Sequence, residues 1–480
     1  MNAELFYGTP GRLREVVAPV VDALDCWVLQ PERGPAPDVS PEALAKLVGA
    51  IDVCPDDPVP FDEVLADVGE RVLAHGVRPF DPRCVAHLHT TTLLTAAATE
   101  LAIGVTNQSL DSYDQAPAAT LLEDHLVRWT AGLLGLPAGA SGVLTAGGTA
   151  SNLLGLLLAR GDVTTDGLPA EARTWRIVAS EAAHFSVQRA AAVLGLGHRA
   201  VVPVATDGSG RIDVAALDQA LADLDRQGLR CIALVGTAGT TDLGAIDPLP
   251  ALAERAAHRG AWFHVDAAVG AAFAFSDRLR PWLDGIASAD SVTADLHKLC
   301  WQPIGASLLL ARDGRRLDLV RHPSDYLDRA DDEDDADDGS GPLNLVGRSL
   351  DTSRRFDALK VVVSLRSTGR RRMGAMVEHL VDLAAATAEV VAATPDLELL
   401  APVSSVTVLF RWRPPGSDDG DALDAANTAI QRALFAQGRA VLGRTRHRGR
   451  VALKLTLVNP TTTLDDLVPL LTLVREAGHG

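Results

Sequence analysis

The spacing of apolar positions changes along the chain, and the change divides it. Over the first hundred residues the pattern is that of helices separated by Pro-rich joints such as PERGPAPDVSP (31–41). DVSPEALAKLVGAI has an N-cap residue, a Pro near the first turn and one apolar face, which predicts a helix. A second amphipathic pattern covers 61–75. From about 118 to 312 short apolar runs alternate with helical patterns. A helix over 118–135 leads to the short GVL and to AGGTASN, followed by an apolar helix to Arg160. Strand-like runs follow at WRIVAS (175–180), AVVPVA (200–205), CIALVG (231–236), WFHVD (262–266) and SLLLA (307–311). Helices are expected between them near 185–195, 213–227 and 247–259. Short buried strands alternating with helices predict an α/β fold with a doubly wound, mostly parallel sheet. After 370 come a helix (375–394), the strand-like SVTVLFRW (405–412), a helix (421–437) and the strand-like VALKLTLV (451–458). The expected division is an N-terminal helical segment (1–95), a large α/β domain (96–370) and a small C-terminal α+β domain (371–480).

Composition narrows the function. The chain has 480 residues, 44 basic and 62 acidic, for a formal charge of −18. That balance argues against nucleic-acid phosphates or an anionic membrane as the main partner, since both need basic faces. Aromatics at 4% argue against a stacking platform for single strands. Seven of the acids form DDEDDADD (331–338), a self-repelling run that favours an extended loop. No run reaches 18 apolar residues, and MNAELFYGTP lacks the basic segment and apolar core of a signal peptide, so a cytoplasmic protein without a membrane span is expected. Five scattered cysteines without a C-x-x-C pair fit a reducing compartment and read as small core or surface thiols. No metal site is expected: His87 and His89 lie on one side of a strand-like stretch, but the spacing offers no third ligand.

Four features carry candidate chemistry, each with an ordinary alternative. Lys298 belongs to a chain poor in lysine and is flanked by His297, Leu299, Cys300 and Trp301. Mostly apolar surroundings favour a neutral amine that can condense with a carbonyl; the alternative is a surface cation. Asp266 ends an apolar strand, where ligands of parallel sheets bind, and small residues follow it; the alternative is a cap or turn former. TAGGTASN (145–152) offers close backbone approach at Gly147 and Gly148 and a helix N-terminus suited to phosphate; the alternative is a plain strand–turn–helix joint. His184 stands near a helix start, where most histidines are structural.

The order of these features, Gly-rich turn, His, strand-end Asp, Lys, resembles the pyridoxal-phosphate-dependent group II amino-acid decarboxylases of the fold-type-I, aminotransferase-like superfamily. The resemblance runs from about 80 to 460. It is carried by NQSLDSYDQAPAATLLED, GVLTAGGTASNLLGLLLAR, SEAAHFSVQRAAAVLGLG, VGTAGTTDLGAIDPLP, WFHVDAAVG, DSVTADLHKLCWQP and SLDTSRRFDALK. It implies that Lys298 holds the cofactor covalently, His184 stacks on the pyridine ring, Asp266 pairs with the ring nitrogen and Ala268 lies against the ring. Gly148, Thr149 and His297 would hold the phosphate, and Thr240 would sit beside the ring substituents. Tyr326, in SDYL, matches the family's mobile-loop tyrosine, which protonates the α-carbon after CO₂ leaves. The family also implies a homodimer, formed in part by the N-terminal segment, with active sites at the interface. Three residues depart from the usual pattern: Asp295 stands where many members have Asn, Ala146 where Ser is common, and Cys300 where a larger apolar residue is usual. LHKLCWQP, SDYL with its acidic run, and GRTRHRGRVALKLTLVNPTTT look most like the bacterial diaminobutyrate and lysine decarboxylase branch; the aromatic branch lacks the pair seen here as Gln302 and Pro303. The expected reaction is decarboxylation of an L-diamino acid. The alternatives are an aromatic amino acid as substrate, another pyridoxal-phosphate reaction (transamination or oxidative decarboxylation), and a catalytically silent relative. Tyrosine at 326 favours simple decarboxylation, and intact Lys298, His184 and Asp266 argue against silence. The acidic run reads either as an attractor for a cationic side chain or as a solvated loop.

Overall fold

The computed structural model describes residues 11–30, 32–164, 167–322, 327 and 343–479. Tyr326 and the acidic run 331–338 lie outside the described residues. The chain divides into two compact units, one formed by Thr92–Asp382 with Ala401–Thr407 and one by the remainder. In chain order, the N-terminal stretch carries α1 (Arg12–Trp27), α2 (Pro41–Gly49) and α3 (Phe61–Arg71). Ser40 caps α2 by accepting the Ala43 N–H, with Pro41 at the first helical position, as the sequence predicts.

The larger unit follows with α4 (Leu94–Thr106), α5 (Pro117–Leu133), β1 (Ser141–Thr145), α6 (Gly148–Gly161), β2 (Trp175–Ser180), α7 (Ser186–Val193), β3 (Val201–Val204), α8 (Val214–Arg226), β4 (Arg230–Thr237), α9 (Leu249–Arg259), β5 (Trp262–Asp266), β6 (Ser291–Asp295), β7 (Ser307–Ala311) and α10 (Ala358–Thr368). Its seven strands form one sheet in the order β1-β7-β6-β5-β4-β2-β3. The strands from β3 through β6 pair in parallel, whereas β7 is antiparallel to both neighbours. The reversal follows from connection length: residues 296–306 join β6 to β7 without a crossover helix, so the chain can only turn back. Helices cover the sheet with regular apolar stripes. In α8, capped by the Asp213 carboxylate, Leu217, Leu221 and Leu224 are buried at helical spacing. Leu154 and Leu158 of α6 pack with Trp175, Ile177, Ile232, Val235 and Leu309, each such side chain stabilising the fold by about 1.5–3 kcal/mol on burial.

The chain continues through α11 (Arg370–Ala393) to β8 (Leu397–Leu399), β9 (Thr407–Trp412), α12 (Gly420–Ala436), β10 (Gly443–His447), β11 (Arg450–Thr456) and α13 (Leu464–His479). The last four strands form a second sheet in the order β10-β11-β9-β8. Asn427 of α12 brackets Trp412, accepting its N–H at 2.8 Å and donating to its carbonyl at 2.9 Å. The N-terminal helices share this smaller unit, and Val85 N–H bonds the Val441 carbonyl at 2.9 Å. Among the described residues no helix is long and apolar enough to cross a membrane, and no group of three or more His, Cys, Asp or Glu is placed to hold a metal.

Candidate active site

Sheet register assembles the site within the larger unit. Thr237 at the end of β4 lies opposite Asp266 of β5, and Asp266 lies opposite Thr293 of β6. Asp295 therefore projects two residues further, level with Ser307 of β7, which in turn faces Thr145 at the end of β1. The Gly-rich turn after β1 enters α6 beside these carboxyl ends. The result is a cavity of about 610 Å³, placed where parallel sheets bind ligands. Gly148, Thr149, Asn152, His184, Asp266, Ala268, Asp295, His297 and Lys298 all line it.

Lys298 is not in the apolar niche its neighbours suggest. Its Nζ lies 2.9 Å from Asp295 Oδ2, and the His297 Nε2 is 3.7 Å from the same oxygen. The lysine stands on a turn closed by four backbone bonds: Leu296 N–H and His297 N–H to the Ala306 carbonyl, Gln302 N–H to Leu296, and Trp301 N–H to Lys298. Trp301 holds a left-handed conformation with φ 53° to close that turn, an uncommon state for a non-glycine residue. Asp295 lies against the start of α6, where a Cβ on Gly148 would come within 2.8 Å of its Oδ2. Glycine at 148 is thus required by contact, and a carboxylate beside a helix N-terminus is electrostatically favourable.

Asp266 is held by neutral donors. Its Oδ2 accepts from Asn152 Nδ2 at 2.8 Å and its Oδ1 from the Ala268 N–H at 3.1 Å. His184 is half-buried, and its Nδ1 lies 2.8 Å from Ser186 Oγ. Burial lowers the His184 pKa below 6.5, against the opposing pull of the Asp266 charge. Cys300 is fully enclosed, and burial pushes its thiol up to about 12, which makes it inert.

The structure brings Lys298, Asp266, His184, Gly148, Thr149, Ala268 and His297 to one cavity. Thr240 is placed otherwise. Its hydroxyl oxygen accepts the Ala245 N–H at 3.0 Å inside its own turn, and Gly239 and Thr241 line the cavity instead. Asn152, His264, Ser186 and Ser291, which join Asp266 and His184 in one hydrogen-bonded group, do not stand out in the sequence. Two spacings mark them: His264 and Asp266 alternate onto one face of β5, and Asn152 and Gly155 are three apart on α6.

These residues suit a flat cationic ring bearing a phosphate and a carbonyl. An amine faces the cavity, a carboxylate stands at a strand end, and a side-chain-free position opens the first turn of α6. The pyridoxal-dependent decarboxylase conserved domain matches residues 41–413. The chain belongs to this family. It is an amino-acid decarboxylase, and its cofactor is pyridoxal phosphate. The L-2,4-diaminobutyrate decarboxylase of Rhizobium meliloti (strain 1021) is 38% identical over 482 residues, covering 100% of this chain and 95% of the relative. That of Acinetobacter baumannii is 38% identical over 418 residues, covering 84% and 81%. Among solved structures, the glutamate decarboxylase domain of diaminobutyrate-pyruvate transaminase and L-2,4-diaminobutyrate decarboxylase from Vibrio parahaemolyticus is 34% identical, with a TM-score of 0.89, and covers 99% of this chain and 98% of that one.

Proposed function

We propose that this enzyme converts an L-diamino acid, of the 2,4-diaminobutyrate or lysine/ornithine type, to the corresponding amine and CO₂. The observation that carries the substrate class is the end-to-end match to a diaminobutyrate decarboxylase. When bound, pyridoxal phosphate supplies an electron sink for the pair left at the α-carbon as CO₂ departs. The chain's own residues do the rest. Lys298 Nζ forms the covalent attachment. Asp266 keeps a proton on the ring nitrogen, where a lost proton would weaken the sink. His184 and Ala268, both lining the cavity, would confine the ring. Gly148 and Thr149 offer first-turn amides to the phosphate with His297 beside them. Tyr326 donates the proton that replaces CO₂ on the α-carbon. The enzyme works as a cytoplasmic homodimer, with the N-terminal segment contributing to the interface.

The test begins with colour. The purified protein should be yellow, and borohydride should fix a pyridoxyl group on Lys298; a protein that stays colourless with added cofactor overturns the reading. CO₂ release is then compared over diaminobutyrate, lysine, ornithine, glutamate, aspartate and aromatic amino acids. Turnover confined to the diamino acids supports the substrate class, and preference for an aromatic or acidic one replaces it. Tyr326→Phe should suppress amine formation while cofactor still binds.

A further inference from the structure

Behind Asp266 runs a buried chain of polar groups whose proton positions are fixed from both ends. At one end the Trp262 indole N–H, which can only donate, points at Ser291 Oγ from 2.8 Å. At the other the Asp266 carboxylate, which only accepts, takes Asn152 Nδ2–H at 2.8 Å. Asn152 therefore presents its amide nitrogen to Asp266 and turns its Oδ1 towards His264. That oxygen lies 3.0 Å from His264 Nε2, which must carry the proton. His264 Nδ1 is then an acceptor, 2.8 Å from Ser291 Oγ, whose hydroxyl proton it receives. The assignment fits a neutral imidazole, and complete burial drives the His264 pKa down, against the opposing Asp266 charge.

The chain branches at Asn152. Its Nδ2 also donates to Ser186 Oγ at 2.9 Å, which leaves the Ser186 proton for His184 Nδ1 at 2.8 Å. The Ser186 backbone N–H, a donor only, approaches the same Nδ1 at 3.3 Å. The shorter hydroxyl contact is the one that fixes Nδ1 as the acceptor and puts the His184 proton on Nε2; the backbone contact is longer than a strong hydrogen bond. Asn152, Ser186, His264 and Ser291 are each at most 1% exposed, so water cannot substitute for a lost partner. Gly155 makes room for the arrangement: a Cβ there would sit 2.6 Å from His264 Cε1.

We infer that Asn152 is a positioning residue, locked by His264 and Ser291 in the one orientation that orders the Asp266 carboxylate and the Nε2–H tautomer of His184 together. The inference rests on the proposed roles of Asp266 and His184 for its effect on the reaction, but its proton assignments stand without cofactor. Both can be tested on the full chain. In cofactor-free protein, nitrogen NMR of ¹⁵N-histidine should show His264 and His184 neutral with the proton on Nε2. His264→Leu removes the N–H that fixes Asn152, and His264→Gln restores a donor at the same place. In the Leu variant His184 should become a mixture of tautomers and pyridoxal phosphate should bind roughly tenfold more weakly, the effect of one buried hydrogen bond. The Gln variant should match the wild type in both. Equal losses in Leu and Gln would reduce the group to a structural one, and a proton on His264 Nδ1 in the wild type would overturn the inference. Should the Leu variant not fold, Ser186→Ala tests the branch alone: His184 should lose its single tautomer, and an unaltered tautomer overturns the proposal. A wild type that takes up no pyridoxal phosphate would sink the proposed function and leave the NMR result to judge this inference separately.

Discussion

Asp266 and Asp295 end two adjacent parallel strands, and both are buried, yet their surroundings differ. Asp266 is held by an amide side chain and a backbone N–H, neither of which carries charge. Asp295 faces the Lys298 Nζ at 2.9 Å through one oxygen, and its other oxygen has no hydrogen-bond partner among the described residues. A carboxylate fixed by neutral donors keeps its charge available to a cation arriving from solution. A carboxylate beside the chain's own ammonium is already balanced. Identical side chains one strand apart are thus set in different surroundings, one among neutral donors and one paired with the lysine.

Four experiments would break or sharpen that contrast. The largest effect is expected from Asp266→Asn, which keeps the shape and removes the charge. CO₂ release should fall by roughly 10²–10³-fold, the scale of a lost charge-stabilising group, while the absorption spectrum still shows cofactor bound. Full turnover would remove Asp266 from the chemistry. Next, Gly155→Ala drives a methyl group into the His264 ring, and overpacking of this kind costs about 1–3 kcal/mol. Urea unfolding measures it, and an unchanged midpoint would mean that the ring yields freely. Third, Asp295→Asn takes a negative charge away from the start of α6. The pyridoxal phosphate dissociation constant should tighten by about fivefold, close to 1 kcal/mol for a charge at a helix terminus. Weaker binding would show that the carboxylate helps to seat the phosphate. The fourth experiment reads pH dependence. Burial holds the folded-state pKa of His264 below 6.5, so under pH 6.5 the unfolded chain binds more protons than the folded one and stability falls as pH falls. His264→Gln should flatten that acid slope; parallel curves would show that His264 contributes nothing to it.

What could be read from the sequence depended on how each element meets its neighbours. β2, β5 and β7 were legible to the residue because they are apolar runs between turns. β6 was not. Ser291, Thr293 and Asp295 alternate along it, a pattern that suggests a strand open to solvent or a loop, yet all five residues are buried in the middle of the sheet. Ser291 is tolerated there because Trp262 and His264 both bond it. The reversal of β7 was likewise hidden, since an apolar run has no direction. In the site, Lys298, Asp266, His184 and Gly148 stood out through their order along the chain. Asn152, His264 and Ser291 come from three elements and look ordinary in each. Only pairing in space gives their protons a direction. Thr240 shows the opposite limit, where the motif is present but one hydroxyl turns into its own loop.

The turn that bears Lys298 has a further consequence. Its backbone is tied to Leu296 and Ala306 between two hydrogen-bonded strands. The amine therefore reaches the cavity on its side-chain torsions alone, without a loop that must first find its place. In the role proposed for Lys298, such anchoring would confine its amine to a small volume and raise its effective concentration at a carbonyl brought into the cavity. The amide hydrogens of Leu296, His297, Trp301 and Gln302 should then be among the slowest to exchange with solvent, which would make the stretch that carries Lys298 one of the least yielding of the sheet.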